Sequence, residues 1–289
     1  MKKIMILCYL LLTACATSKR SEPILPVVDL KIIDVHVHTA FDGQNEETSS
    51  IPYTRDQLLK EFKAANIVAA VSMNARDGGG HFENKDESTY VINCVGIKLP
   101  VKYASIEKDL KNKKYQCIKI YLGYVHAYAY DQVYVPLYRL AEKYSVPVVF
   151  HTGDTYSTKG KIKYADPMTV DEVAVDFPKV KFVIAHIGNP WIQSAAEVAY
   201  KNPNVYLDGS ALLIGQIQNY KPDQLKTYVV NPLTWVFGYV ENPKKLMFGS
   251  DWPLANINEY VKVFKQAIPE EHWEKVFRTN AEEVFNLKK

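Results

Sequence analysis

Eight short runs rich in Val, Ile, Leu and aromatic residues recur along this chain, and most are followed by a stretch of helical periodicity. The runs are "KIIDVHV", "IVAAVSM", "YVINCVGI", "CIKIYL", "VPVVF", "KFVIAH", "NVYLD" and "KLMFGS". Parallel neighbours need a long crossover, usually a helix, so this alternation predicts a parallel sheet with helices on its outside. Eight is the number of parallel strands that closes a barrel. A doubly wound open sheet produces a similar string, but its polar residues need not recur at so many strand ends. The helix signals between the runs are local. "TRDQLLKEFKAAN" opens on a Thr54…Gln57 capping box and repeats apolar residues at Leu58, Leu59, Phe62 and Ala65. "VPLYRLAEKY", "DEVAVDF", "SAAEVAYK" and "NEYVKVFKQA" follow the same logic. The expected organisation is one α/β barrel domain over residues 30–289, a usual length for a (β/α)8 TIM barrel.

The residues before it read differently. "MKKIMILCYLLLTAC" places two lysines before a short apolar stretch and ends in small residues, the build of a secretory signal. Its apolar part is too short to span a bilayer. Leu12-Thr13-Ala14-Cys15 resembles the lipobox of bacterial lipoproteins. The expectation is a signal peptide over residues 1–14, then a lipidated Cys15 and polar tether over residues 15–29. That predicts a protein lipid-anchored on the periplasmic side of the cell envelope, with Ala16 after the Cys favouring the outer membrane. Cleavage removes Lys2 and Lys3, taking the formal charge from +3 to +1 (3 − 2). So neutral a chain has no electrostatic case for binding nucleic acid or an anionic membrane surface. Membrane attachment then rests on the lipid alone. Cys94 and Cys117 are expected as buried thiols, with a bridge between them the alternative. Nothing in the sequence decides whether identical copies assemble.

The first run carries the sharpest signal. Asp34, His36 and His38 alternate, so a regular strand turns all three to one face. Hiding two imidazoles and a carboxylate is costly unless something binds them. Polar residues also end other runs: Lys119 in the fourth, His151 in the fifth, His186 in the sixth and Asp251 in the eighth. His81 and His126 follow the second and fourth, so six of the seven histidines gather toward strand C-terminal ends, with His272 expected on the surface. In a βα barrel those ends meet at the face where active sites are built. Neutral imidazole is the commonest transition-metal ligand, and a carboxylate balances the charge.

The ordered set Asp-x-His-x-His, His-x-Gly, His-x-Gly and Gly-Ser-Asp-x-Pro resembles the amidohydrolase superfamily, in particular its amidohydrolase 2 branch. That branch includes aminocarboxymuconate semialdehyde decarboxylase and lactone hydrolases. The resemblance runs from about Asp29 to the end, where "TNAEEVFNL" is similar to the family's terminal helix. It implies a distorted (β/α)8 barrel holding one divalent metal ion, zinc before manganese, on His36, His38, His151 and Asp251. Asp251 and His186 are then the catalytic pair, Asp251 taking a proton from water and His186 donating to the oxygen that becomes negative. Some branches carboxylate the fourth-strand lysine to bridge a second metal. Here substrate contact or carbonyl polarisation is the preferred role for Lys119, and a structural ion pair is the plain alternative. Arg76 has a guanidinium suited to a substrate carboxylate, but a solvated loop residue fits as well. The Gly78-Gly79-Gly80 run reads as a mobile loop, and the tyrosines of "YLGYVHAYAYDQVY" as either pocket wall or rim cover.

Three functions fit these residues: a metal-dependent hydrolase of an amide, ester or lactone; a metal-dependent decarboxylase of an unsaturated carboxylic acid; and a ligand-binding lipoprotein without turnover. An anion clamp from Arg76 or Lys119 favours the second, or a carboxylated lactone as substrate of the first. Retention of both Asp251 and His186 disfavours the third.

Overall fold

The computed structural model describes residues 30–73, 80–85 and 88–287. Cys15, with the expected signal and tether, and Arg76, Gly78 and Gly79 lie outside the described residues. Each expected run forms a strand: β1 Ile32–Val37, β2 Ile67–Met73, β3 Tyr90–Gly96, β4 Cys117–Tyr121, β5 Val148–His151, β6 Phe182–Ile184, β7 Val205–Asp208 and β8 Leu246–Met247. They lie in chain order in one eight-stranded sheet, every neighbouring pair parallel. The two ends meet. Val35 N–H donates to Phe248 O at 3.0 Å, Asp251 N–H to His36 O at 2.8 Å and His38 N–H to Trp252 O at 2.8 Å. The sheet is therefore a barrel, and its closing seam runs directly beside the first histidine pair.

Two apolar layers hold it. One set takes alternate strand residues, among them Val35, Val71, Cys94, Cys117, Val149, Val183 and Met247, with Ala281, Val284 and Phe285. Apart from these three and Ala185, just past the end of β6, its members lie on the strands, so it is the barrel interior, closed at one end by the terminal helix Asn280–Val284. Asn280 ties that helix to β8 by donating to Pro243 O at 2.7 Å and Leu246 O at 2.8 Å. The larger set packs the outer helices on the strands. The helices expected from periodicity are present at Arg55–Ala64, Val135–Tyr144, Thr169–Asp176, Ile192–Lys201 and Ile257–Lys265. Half of the expected capping box forms: Thr54 Oγ1 accepts from Gln57 N–H at 3.2 Å. The Gln57 amide turns instead to Glu61 Oε1. Buried Glu61 also accepts from Ile257 N–H at 2.9 Å, capping the last long helix from across the structure.

The cysteines are a correction. Strand register sets Cys94 directly opposite Cys117, with Cα atoms 4.3 Å apart, and the two are disulfide-bonded rather than free thiols. Strand periodicity placed both inside, but only the β3–β4 register made them partners. Lys245 shows the same dependence on tertiary context. It is 6% exposed and donates to three carbonyls, those of Asn202, Pro203 and Val205, at 2.7–2.9 Å.

Candidate active site

The barrel gathers His36, His38, Lys119, His151, His186 and Asp251 at the C-terminal ends of its strands. Asp251 is central. His38 Nε2 donates to its Oδ1 at 2.9 Å, and His36 Nε2 lies 3.4 Å from the same oxygen. The His36 and His186 rings are 4.9 Å apart, and His186 Nε2 is 3.2 Å from His151 Nδ1. Lys119 Nζ, fully buried, donates to His36 Nε2 at 3.4 Å. Asp34 does not join them as a regular alternation would have it. The β1 register slips between Asp34 and Val37, and the Asp34 Oδ1 accepts instead from the His36 and Ser250 N–H groups, each at 3.0 Å. Asp34 thus braces the backbone on both sides of the closing seam.

Backbone geometry aims the later residues. His186 and Asp251 have φ of 61° and 62°, left-handed values that cost a residue with a side chain roughly 1–2 kcal/mol. The turn each makes brings it round onto the cluster. The loops after β5 and β6 touch: a Cβ on Gly153 would lie 2.1 Å from Asn189 O, and Asp154 N–H donates to that carbonyl at 2.7 Å. The glycine after His151 is therefore the price of bringing His151 and His186 together. Gly249, in the Gly-Ser-Asp stretch, has a like role. A Cβ there would stand 2.4 Å from Asp208 Oδ1 and 3.0 Å from His36 Cβ.

Burial sets the protonation states. It pushes the His36 and His151 imidazoles well below their ordinary range, helped by the Lys119 ammonium for His36 and by His186 for His151. His186 is pushed down to about 4, again chiefly by burial. All three rings are neutral at neutral pH, with a lone pair to give. Burial opposes ionisation of Asp251, yet the N–H that His38 donates to its Oδ1 holds it below the usual carboxylate range. Burial lowers Lys119 to about 8, against the pull of Asp208 and Asp251.

His151, His186 and Asp251 form part of the wall of a cavity of about 220 Å³, together with Glu46, Glu47, Tyr124, Asp154, Tyr156 and Asn189 among others. Lys119 does not line this cavity. It sits deeper, against His36 and 5.3 Å above the Tyr121 ring. No Lys or Arg lines the cavity among the described residues. His81 and His126 point elsewhere, the first toward Tyr115 and the second with Nε2 on Lys159 O at 2.8 Å. His272 is half-buried against Phe237 rather than on the open surface. Of the tyrosines after β4, Tyr124 lines the cavity, whereas Tyr128 and Tyr130 stack at 5.0 Å and Tyr134 is buried in the core. Gly80 packs on the loop after β1, where Thr39 Oγ1 donates to its carbonyl.

Two participants escaped the sequence reading. Asp208, fully buried at the end of β7, accepts from His36 Nδ1 at 2.5 Å. Ser210 Oγ lies 3.2 Å from His36 Nδ1 and 3.0 Å from His186 Nδ1. Asp208 ends the run "NVYLD", so the rule that found the other site residues, a polar residue closing an apolar run, applied to it as well.

The donor set suits a divalent ion. His36, His186 and Asp251 each offer a ligand atom, all within 4.8 Å of one another. His38 Nε2 also reaches Asp251, and His151 Nδ1 reaches His186. Neutral imidazoles and an ionised carboxylate at such separations are what zinc or manganese takes.

The amidohydrolase family model matches residues 102–287. The chain belongs to the amidohydrolase family. The match begins before β4, so the placement of His36 and His38 in this amidohydrolase rests on the barrel geometry. Among curated proteins nothing matches. Solved structures with the same fold include an uncharacterised TIM-barrel protein from Bordetella bronchiseptica, 20% identical, covering 89% of this chain and 99% of that one at a TM-score of 0.69. A probable 2-pyrone-4,6-dicarboxylic acid hydrolase from Acinetobacter baumannii is 16% identical over 89% and 99% of the two chains, TM-score 0.62. A 2,6-dihydroxybenzoate decarboxylase from Rhizobium is 13% identical over the same shares, TM-score 0.62. At these identities the likeness concerns the fold, which is shared by the probable hydrolase and the decarboxylase alike.

Proposed function

We propose that this protein is a metal-dependent hydrolase in which water attacks the carbonyl carbon of an amide, ester or lactone in a small substrate. The observation that carries the reading is the convergence of neutral imidazoles and an ionised Asp251 at a cavity whose described wall holds carboxylates and no cation. His36, His38, His151 and Asp251 would hold the ion, His151 through Nδ1, because its Nε2 donates to Asp154 O at 2.8 Å. When bound, a divalent ion supplies Lewis acidity, polarising a carbonyl and bringing the pKa of water to about 7. Asp251, kept ionised by its neighbours, accepts the proton from the attacking water. His186 stands in the cavity wall and donates to the oxygen on which charge builds. Tyr124 and Asn189 border the space the substrate fills.

Decarboxylation of an unsaturated acid is the second reading. It is favoured by the named decarboxylases that share the fold. A carboxylate substrate wants a cation, however, and Lys119 lies beneath the cavity rather than in its wall. A screen of lactones, esters and amides against carboxylated enals separates the two. Hydrolysis is expected; release of CO2 from an enal with no hydrolase activity overturns the reading.

The protein is expected to bind one divalent ion per chain, checked by elemental analysis after loading with zinc or manganese. Lys119 should make that affinity pH-dependent. Its N–H on His36 Nε2 must be given up when the lone pair goes to an ion. With a pKa of about 8, the lysine is an ammonium at pH 7 and mostly an amine at pH 9. Manganese affinity should then rise about tenfold between those values as the repelling charge is lost. In Lys119→Met, titration of manganese at pH 7, 8 and 9 should show no such rise.

We also propose that Cys15 carries lipid and anchors the protein to the cell envelope, on the lipobox likeness of residues 12–15. No helix among the described residues is long and apolar enough to cross a membrane. Cys15→Ser should leave the protein unprocessed or released from membranes; a native N-terminus elsewhere, found by mass spectrometry, would exclude the anchor.

A further inference from the structure

The hydrogen-bond partners around the cluster assign a proton to each ring, and the assignments differ between neighbours. His151 Nε2 faces a backbone carbonyl, that of Asp154, at 2.8 Å. A carbonyl only accepts, so Nε2 carries the hydrogen and His151 Nδ1 is a lone pair in the neutral ring. His186 Nε2, 3.2 Å from that lone pair, is therefore the donor. A neutral His186 then has a lone pair on Nδ1, and the group there is Ser210 Oγ at 3.0 Å, whose hydroxyl hydrogen completes the contact. His36 is reversed. Its Nδ1 meets the Asp208 carboxylate at 2.5 Å and must donate, leaving the lone pair on Nε2, where Lys119 Nζ donates to it.

We propose that Ser210 and Asp208 are positioning residues that give two adjacent imidazoles opposite tautomers, Ser210 holding His186 as an Nε2–H donor and Asp208 holding His36 as an Nε2 ligand. The two devices are one unit. Ser210 N–H donates to Asp208 Oδ1 at 2.9 Å, and the absence of a side chain at Gly249 leaves room for that carboxylate and for Ser210. The consequence deepens the functional reading and rests on it. In the ion-free protein the His186 N–H is held by His151 Nδ1. Once that lone pair is given to an ion, the same N–H is released to a substrate oxygen. A ring with the other tautomer would offer a lone pair there, and so repel the oxygen that His186 is to stabilise.

Long-range proton–nitrogen correlation spectra of ¹⁵N-histidine-labelled, ion-free protein read the tautomers directly. His36 should appear as Nδ1–H and His186 as Nε2–H, the signals assigned through His36→Asn and His186→Asn. In ion-free Ser210→Ala, His186 should stay Nε2–H, because His151 Nδ1 still accepts that hydrogen; in the zinc-loaded variant, where that lone pair is given to the ion, His186 should become a mixture of tautomers while His36 keeps its state and manganese affinity stays within about twofold. In Asp208→Asn, the amide must keep its oxygen on Ser210 N–H, so its NH₂ faces His36 Nδ1 and forces the proton to Nε2. Manganese affinity should then fall by about 10–100-fold, the usual loss when the partner behind a ligating histidine is removed. His186 as Nδ1–H in the unsubstituted protein overturns the proposal, as does a loss of affinity in Ser210→Ala equal to that in Asp208→Asn. Because the spectra of the unsubstituted protein contain no ion, they decide the tautomer assignments separately. Failure of the unsubstituted protein to bind manganese would sink the metal-dependent reading alone.

Discussion

His36→Asn should lose bound metal and turnover together, whereas His186→Asn should keep most of its metal and lose about 10²–10⁴ in turnover, the usual contribution of a proton-transferring group. The difference follows from where the two rings end. His36 is buried behind the cluster, Nδ1 fixed on Asp208 and Nε2 turned toward Asp251 3.4 Å away. It can reach an ion but not the cavity. His186 lines the cavity, so it can reach substrate. Four ligands from His36, His38, His151 and Asp251 already make a full protein set, and a fifth would take the position water needs. Metal content and kcat measured on both variants provide the check. The rival outcome is specific, because His36, His186 and Asp251 also present ligand atoms within 4.8 Å. Should His186→Asn strip the metal as thoroughly as His36→Asn, His186 is a ligand, and an arrangement with two metals and a carboxylated Lys119 becomes the better description.

Gly249→Ala should lower stability by about 1–3 kcal/mol and weaken metal binding by about 10–100-fold, although it adds one methyl group and touches no ligand atom. The new carbon would stand 2.4 Å from Asp208 Oδ1 and 3.1 Å from Ser210 Cβ, in a region where Asp208 and Ser210 have no exposed surface. Something must move, and what moves is the carboxylate that holds His36. Gly238→Ala is the matched control. Gly238 lies in the helix Asn231–Val240 with nothing within 4 Å of the added carbon. There alanine should stabilise the fold by up to ~1 kcal/mol through helix propensity. Thermal unfolding and manganese titration of the two variants side by side test the contrast; equal behaviour would show that the Gly249 contact relaxes without cost.

The barrel was legible because burial on both faces writes each parallel strand as a short apolar run, and because helices must separate such strands. Asn231–Val240 escaped for a physical reason. Its exposed face carries Trp235 and Tyr239, so no polar side marks its period. Glu61 and Lys245 escaped differently. Each is a charged residue in an ordinary helical or turn context, and only the fold supplies the buried N–H and carbonyl groups that make it structural.

The sequence by itself determined the alternation, the number of strands and the placing of His36, His38, His151, His186 and Asp251 at strand ends, because each of those is a matter of local spacing. It also offered Asp208, on the same rule. What only the tertiary structure decided is what these groups do to one another. Register made Cys94 and Cys117 partners, and the slip in β1 removed Asp34 from the face its spacing assigned. Burial beneath His36 took Lys119 out of the cavity wall. The contacts of Asp208 and Ser210 with two imidazoles join residues 172 and 24 positions apart along the chain. Hydrogen bonds of that kind depend on distances of a few tenths of an ångström between strands, and no periodicity within one strand encodes them.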